Sequence, residues 1–304
     1  MAQGLARKAV LASRRPRLLK RLALTASLAA LSLTASASPA TASVTIGRLD
    51  PAPSISCAGS TLDLIEPTVK SGTGYVVPSI PSVSALMISS WSHNGAPAAG
   101  TLTAVGPLTL KVFRKVADPA TYQVVGHDTR DLIPNTLNTF QARLPVQPGD
   151  VIGTNTAQPA TSACTFSDPG ETYMSTATAS NLADGQSAAF VPGSPNRSLN
   201  VSAVVSPSNL FTLGTVTRNK KKGTATVDVN VPNPGQLALS GNGVKSQQAS
   251  PGAPGEIELL IRATGKKKKK LNRKGKVKIN PTITYTPTGG DPSSQSIKVK
   301  LKRK

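Results

Sequence analysis

Apolar residues recur at every second position through most of this chain, and that spacing admits few folds. Ala225, Val227, Val229 and Val231 form one row, Ile257, Leu259, Ile261 and Ala263 another, and Val277, Ile279, Ile283 and Tyr285 a third. A period of two places such rows on one face of a strand and the intervening polar residues on the other. In the first half, Leu108, Leu110 and Val112 alternate with Thr109, Lys111 and Phe113 as a half-buried strand; Phe140, Ala142, Leu144 and Val146 repeat the pattern. Leu199, Val201, Ala203 and Val205 do the same. Further strands are expected at 55–58, 61–65, 86–92, 121–126 and 187–191, and in the second half at Leu237 with Leu239 and at Ile297, Val299 and Leu301. No helix-period pattern with caps follows residue 45.

Glycine and proline each number 25 and aromatics make up 3% of residues, which fits short strands, many turns and an aliphatic core. Ser206-Pro-Ser-Asn is a short polar joint, so 43–205 and 206–304 read as two closely coupled domains of ordinary size. The expected class is all-β, with two β-sandwich domains, the first jelly-roll-like and the second immunoglobulin-like.

Residues 1–42 read as a cleaved signal peptide. Arg7, Lys8, Arg14, Arg15, Arg17, Lys20 and Arg21 precede the soft apolar run Leu22 to Leu33, and Ala35-Ser36-Ala37 and Ala40-Thr41-Ala42 both fit small-residue cleavage. Cleavage at the second leaves a chain that opens directly on the alternating segment from Ser43. The run is too short to span a bilayer, and no later stretch is long and apolar enough, so the mature chain is expected to lack a transmembrane segment. Ser13-Arg14-Arg15-Pro16-Arg17-Leu18-Leu19-Lys20 resembles a twin-arginine export signal, with Arg17 where an aromatic is usual. Cys57 and Cys164 are the only cysteines, and an even pair in an exported protein points to one disulfide. Closing so long a loop would contribute about 4–5 kcal/mol on the chain-entropy account.

Charge is distributed very unevenly. Residues 1–42 hold 7 basic and 0 acidic side chains, 43–205 hold 8 and 10, and 206–304 hold 20 and 4. The near-neutral first domain is therefore joined to a strongly cationic second one. Lys220, Lys221 and Lys222 cluster beside Arg218; Lys266, Lys267, Lys268, Lys269 and Lys270 form an unbroken run followed by Arg273 and Lys274. Lys276 and Lys278 alternate with Val277 and Ile279, as Lys298, Lys300 and Lys302 do with Ile297, Val299 and Leu301. If those two strands pair, both rows share one face, and opposed like charges create a surface that gains from a polyanion. Lysine on exposed strands also blocks edge pairing and keeps a secreted domain soluble, which is the plainer explanation.

Catalytic and metal-binding patterns do not assemble. His127 and Asp128 are neighbours and so point to opposite faces of a strand, and no G-x-S-x-G turn is present. His93 in Ser-His-Asn-Gly reads as a turn and His127 as a satisfied surface histidine. Asp118, Asp128, Asp131, Asp168 and Glu171 follow no calcium-loop spacing and most of them read as solvated loop carboxylates, and the two cysteines and two distant histidines show no zinc spacing. No cofactor or metal is expected. Trp91, Tyr75, Tyr122 and Tyr173 are the aromatics best suited to stack on a glycan ring or anchor an interface, although a large aromatic interrupting an aliphatic strand is more often buried.

Ile88-Ser-Ser-Trp-Ser, Leu108-Thr-Leu-Lys-Val-Phe-Arg, Asn135-Thr-Leu-Asn-Thr-Phe-Gln-Ala-Arg-Leu-Pro-Val-Gln-Pro-Gly-Asp-Val-Ile-Gly and Leu199-Asn-Val-Ser-Ala-Val-Val together resemble secreted actinobacterial proteins without assigned function. Leu271-Asn-Arg-Lys-Gly-Lys-Val-Lys-Ile leading to Thr284-Tyr-Thr-Pro resembles the lysine-rich immunoglobulin-like module at the C-terminus of such proteins, with Leu271 plugging the core in a crossover connection. The resemblance implies the two-domain architecture and brings no catalytic residues.

The expected function is that of an exported, non-enzymatic, extracellular protein, associated with the surface or wall through attraction of its lysine-rich domain to anionic wall or matrix polymer. Polysaccharide is among the candidate partners. Sequence-specific nucleic-acid binding is not expected, because no helix is foreseen to enter a groove, no aromatics interleave with the lysines, and lysine outnumbers the bidentate arginine. The alternative places a carbohydrate-binding or adhesive module in the first domain, with the second as a stalk.

Overall fold

A computed structural model describes residues 43–49, 61–95, 106–155, 164–178 and 180–304. The segment read as a signal peptide, the strand expected at 55–58 and Cys57 lie outside the described residues; Cys164 is buried. The first strands are β1 (Val44–Arg48), β2 (Asp63–Ile65), β3 (Leu86–Asn94), β4 (Pro107–Ala117) and β5 (Thr121–Asp131). They are followed by β6 (Leu137–Val146), β7 (Val151–Asn155), β8 (Thr165–Thr176), β9 (Ser187–Leu199) and β10 (Val201–Pro207). After the joint come β11 (Thr212–Asn219), β12 (Thr224–Val231), β13 (Gly235–Ser240), β14 (Gln247–Ala249) and β15 (Gly255–Ile261). A helix, α1 (Gly265–Lys274), precedes β16 (Lys276–Ile279), β17 (Thr282–Pro287), β18 (Ser293–Ser296) and β19 (Val299–Lys302).

One apolar core draws on residues from Ile46 to Val205 and a second on residues from Phe211 to Leu301. Around the first, an antiparallel sheet in the order β1-β10-β3-β6 faces six strands, β2-β7-β4-β5-β9-β8, whose edges meet so that the sheet closes on itself. Closure removes the free edges of that sheet and gives it an interior. It also changes the reading of β4, expected to be half-buried. Residues 108–113 are buried on both faces, because the alternate face looks across the closed sheet. There Phe113 packs edge-on against Phe190 of β9, with ring centroids 5.4 Å apart. Lys111 donates to the Asp63 carboxylate at 2.6 Å, to Asn181 Oδ1 at 2.8 Å and to the Leu182 carbonyl at 2.7 Å. All three ammonium protons are thus used, and Asp63 also accepts from Asn155 Nδ2 and the Leu182 amide at 2.9 Å. A buried ion pair persists only when satisfied in this way. On β6, by contrast, Ala142 and Val146 are buried while Gln141 and Arg143 are exposed, the simple alternation the sequence carries.

His93, expected in a turn, lies in β3 and is fully buried, with Nδ1 2.7 Å from the Asn200 carbonyl oxygen. Asp168 and Glu171, read as loop carboxylates, belong to β8, a strand whose Pro169-Gly170 interruption the ladder accommodates with register shifts against β9. Glu171 is buried and accepts from the Lys70 amide at 2.7 Å and the Ser71 amide at 3.2 Å.

The second core lies between β11-β12-β15 and β14-β13-β17-β18, the partition of an immunoglobulin-like sandwich. The three rows expected to point inward do so: Val227, Val229, Leu259, Ile261, Ile283 and Tyr285 are wholly buried. The row from Val277 to Tyr285 is not one strand. It breaks at Asn280-Pro281, where proline removes a ladder donor, so that β17 pairs with β13 and β18 while β16 pairs only with β19.

The lysine run forms an α-helix, against the expectation of none beyond the signal segment. Lysine is a competent helix former and the segment contains no β-branched residue. Gly275 ends it in the left-handed region at φ 64°, where glycine carries no steric penalty. Ten residues are too few for a stable isolated helix, and a lone apolar residue among them shows no periodicity. Leu271, the only buried residue of α1, ties it to the core, with Gly223 of the β11–β12 turn beneath it.

The joint at Ser206 to Asn209 is buried rather than solvated. Asn233 bridges it: its Oδ1 accepts from the amides of Ser84 and Ala85 at 2.8 and 3.0 Å, and its Nδ2 donates to the carbonyls of Ala85 and Ser208 at 2.9 and 3.0 Å. Arg143 adds bonds to Asn209 Oδ1 and Ser293 Oγ, each 3.0 Å.

Candidate polyanion-binding surface

The cations of the second domain come from segments far apart in sequence, and the fold gathers most of them at one end. β16 and β19 pair antiparallel, placing Lys276 opposite Lys302 and Lys278 opposite Lys300. Directly opposed residues project from the same face of a ladder, so the two lysine rows share one. Lys298 is exposed just before β19. The β11–β12 turn with Lys220, Lys221 and Lys222 comes to the same end: Arg218 Nε donates to the Lys300 carbonyl at 3.2 Å, and the Lys304 amide to the Lys220 carbonyl at 3.0 Å. Gly275, where α1 meets β16, accepts from the Arg303 amide at 2.8 Å.

Along α1 the lysines are exposed except Lys267, whose stem lies over Gly243 and whose ammonium donates to the Lys278 carbonyl at 3.3 Å. Arg273 and Lys274 sit at the carboxyl end, where positive charge is favoured by the helix dipole. The lysines of the first turn stand at the end where it is not, with no acidic residue to offset them.

No cation of 206–304 makes an ion pair among the described residues; every pair lies in the first domain, between Arg48 and Asp184. Asp228, Glu256 and Glu258 stand on β12 and β15, Asp228 directly opposite Glu258, and Asp291 lies between β17 and β18. β12 runs from the lysine turn to Val231, beside the interdomain bridge at Asn233, and its eight residues span roughly 25 Å. The cationic end is thus the end of the domain farthest from the first. Unpaired like charges so concentrated raise the local density of any anionic polymer.

Three adjoining concavities indent this end. One of about 870 Å³ is lined by Arg218, Lys220, Lys221, Lys222 and Arg262, over a floor of Thr226 and Leu260. The second, about 420 Å³, has Lys222, Lys245, Arg262, Lys268 and Arg303 on its walls and the amino end of α1 at its rim. The third, about 250 Å³, lies between Lys245, Gln247 and Arg262. Lys245, Arg262 and Arg303 were not singled out from the sequence: each stands outside the lysine runs, and only folding brings it beside them.

The aromatic candidates fare differently. Trp91 is 1% exposed, its indole N–H donating to Asp128 Oδ2 at 2.7 Å and its ring packed against Phe140. Tyr75 is buried with its hydroxyl on the Leu199 carbonyl, and Tyr122 packs edge-on against Phe190. None of these three presents a ring face to a sugar. Tyr173 is half-buried, its ring pressed on the backbone of Gly193. His127 is half-exposed and bonded to Asp184 at 2.8 Å.

Titratable groups also meet inside the first domain. Glu66 is fully buried, with Oε1 2.8 Å from Ser198 Oγ and Oε2 accepting from the Leu199 amide at 3.0 Å. Ser198 Oγ lies equally close, 2.8 Å, to Asp168 Oδ2, which pairs with Arg48. One hydroxyl proton cannot serve both carboxylates, so a protonated Glu66 that donates to Ser198 completes the chain toward Asp168. Burial pushes the Glu66 carboxyl up to about 7, against the lowering pull of its bonds to Leu199 and Ser198. Burial holds the His93 imidazole down at about 4.

Among the described residues no group of three or more His, Cys, Asp or Glu side chains could hold a metal ion, and no helix is long and apolar enough to cross a membrane. No protein-family model and no curated protein matches this chain.

Proposed function

We propose that this is an exported, non-enzymatic protein of the cell surface or wall, held there by attraction between the cationic end of its second domain and an anionic polymer. The observation that carries the reading is the set of cations from the β11–β12 turn, α1, β16 and β19, gathered at the end remote from the first domain and without an ion pair among the described residues. Solubility alone would be served by scattered charge of either sign. The directly opposed lysines act against the stability of their own ladder. Export, on this reading, also brings Cys164 and Cys57 into an oxidising compartment where they form the one disulfide.

Retention of the purified protein on cell-wall material, measured at rising salt, tests the proposal. Attraction of this kind falls steeply with ionic strength. Binding indifferent to salt, or absent at low salt, would overturn it.

A further inference from the structure

Three of the four arginines of the second domain, Arg218, Arg262 and Arg303, line the concavities of the cationic end, whereas the lysines are spread over its outer surfaces as well. Arg262 is shared by all three concavities. Its guanidinium is exposed and has no hydrogen-bond or ion-pair partner among the described residues. A planar fork of five donors left open at the junction of three hollows is suited to bidentate capture of an oxyanion. Because the hollows adjoin one another, they form a track rather than a single pocket, and a track fits a chain.

We infer that Arg262 is the centre of a groove that takes a linear chain of phosphate groups, a polyphosphate or polyol-phosphate polymer; the inference rests on the electrostatic reading above and narrows it to one site and one chemistry. Lys222, Lys245 and Lys268 supply point charges along the groove, and Arg218 and Arg303, whose guanidinium groups also donate to the Lys300 carbonyl and to Asn272 Oδ1, add charge toward its ends. The amino end of α1 opens on the middle hollow and adds its positive dipole. Guanidinium forks, lysine ammoniums and the unpaired amides at the amino end of a helix are together the donors that phosphate oxygens meet, whereas a polyuronate offers one planar carboxylate per sugar ring. Among the described residues no aromatic side chain lines any of the three hollows, so these residues offer neither bases nor sugar faces a platform to stack on.

The test uses inorganic polyphosphate as probe and the mature two-domain protein, titrated at about 0.15 M salt. Arg262→Gln should weaken binding by about tenfold or more, and Arg262→Lys, which keeps the charge, by at least about threefold, because the fork is lost. Lys269→Gln removes one charge from the outer side of α1 and should change affinity by less than about twofold. Arg262 and Lys269 are both exposed, and unaltered melting curves would show that the variants fold. Equal losses for Arg262→Gln and Lys269→Gln would overturn the groove while leaving salt-dependent wall retention standing. Polygalacturonate binding as tightly as polyphosphate of equal charge would overturn the phosphate assignment, and so would tighter binding of a single-stranded oligonucleotide with the same number of phosphates. Wild-type protein that binds polyphosphate no better than neutral dextran, yet is held by wall material, would overturn the inference alone. Failure to bind either would overturn the retention reading with it.

Discussion

Lys278 and Lys300 stand directly opposite each other across the β16–β19 ladder, with Lys276 and Lys302 opposed one step further along the same face. Like charges in this position destabilise a ladder by a few tenths to about 1 kcal/mol. Lys300→Glu should therefore stabilise the second domain by about 0.5 kcal/mol at low salt, and by less at ~1 M salt, where screening has already removed the repulsion. Thermal melts of both proteins at the two salt concentrations measure this. The same substitution should weaken polyanion binding, so stability and retention move in opposite directions.

Replacing Lys266 to Lys270 with serine separates the charge of α1 from its packing. Serine is the weaker helix former, but the change removes the i,i+4 repulsion between Lys266 and Lys270 and the lysines at the positive end of the dipole. The net effect on stability should stay within about 1 kcal/mol while wall retention falls. Leu271→Asp should instead cost more than about 4 kcal/mol, since it buries an unpaired carboxylate where α1 meets the core. Chemical unfolding distinguishes the two, and equal losses would show that Leu271 does not anchor the helix.

Glu66 and His93 make opposite contributions to the pH dependence of the first domain. The folded-state pKa of Glu66 is raised to about 7, so its contribution is fully present below about 4.5 and is lost as pH rises through 7. That of His93 is lowered to about 4, so its contribution is present above about 6.5 and is lost as pH falls through 4. Glu66→Gln keeps a donor to Ser198 and an acceptor for the Leu199 amide without the charge. Relative to wild type it should be neutral near pH 4.5 and more stable at pH 8, by on the order of 3 kcal/mol. Urea unfolding across this range gives the difference, and a constant offset between the two proteins would count against the shift at Glu66.

Asn233 and Ala85 exchange two hydrogen bonds, an arrangement that imitates a step of β-ladder between the two halves of the chain. Asn233→Leu leaves the amides of Ser84 and Ala85 and the carbonyls of Ala85 and Ser208 without these partners, at a cost of about 2–4 kcal/mol. Hydrogen exchange at Ser84 and Ala85 should accelerate, with the amides of β12 and β15 unaffected. Protection unchanged at the first two positions would show that the bridge does not hold the joint.

Much of the fold is legible in the period-two rows, because an inward strand face must be apolar wherever it lies in the sequence. The strands carrying Val227, Leu259, Ile283 and Val299 follow from it without ambiguity. What escapes are positions where a partner elsewhere changes the meaning of a residue. Lys111 looks like a solvent-facing residue until the sheet closes and Asp63 meets it; Asp168 and Glu171 look like loop carboxylates until Arg48 and the Lys70 and Ser71 amides surround them. Trp91 illustrates the same dependence, since nothing local reveals that Asp128 will accept its indole proton.

The sequence by itself determined the all-β class, the inward rows of both cores and the concentration of positive charge after residue 206, for these depend only on side-chain chemistry and spacing. The tertiary structure alone decided that the lysine run is a helix seated by Leu271, that the two lysine rows oppose each other, and that Lys245, Arg262 and Arg303 meet the lysine turn in one groove. Each of those outcomes depends on contacts between residues far apart in the chain. A periodicity records which face a side chain takes, and says nothing of what it finds there.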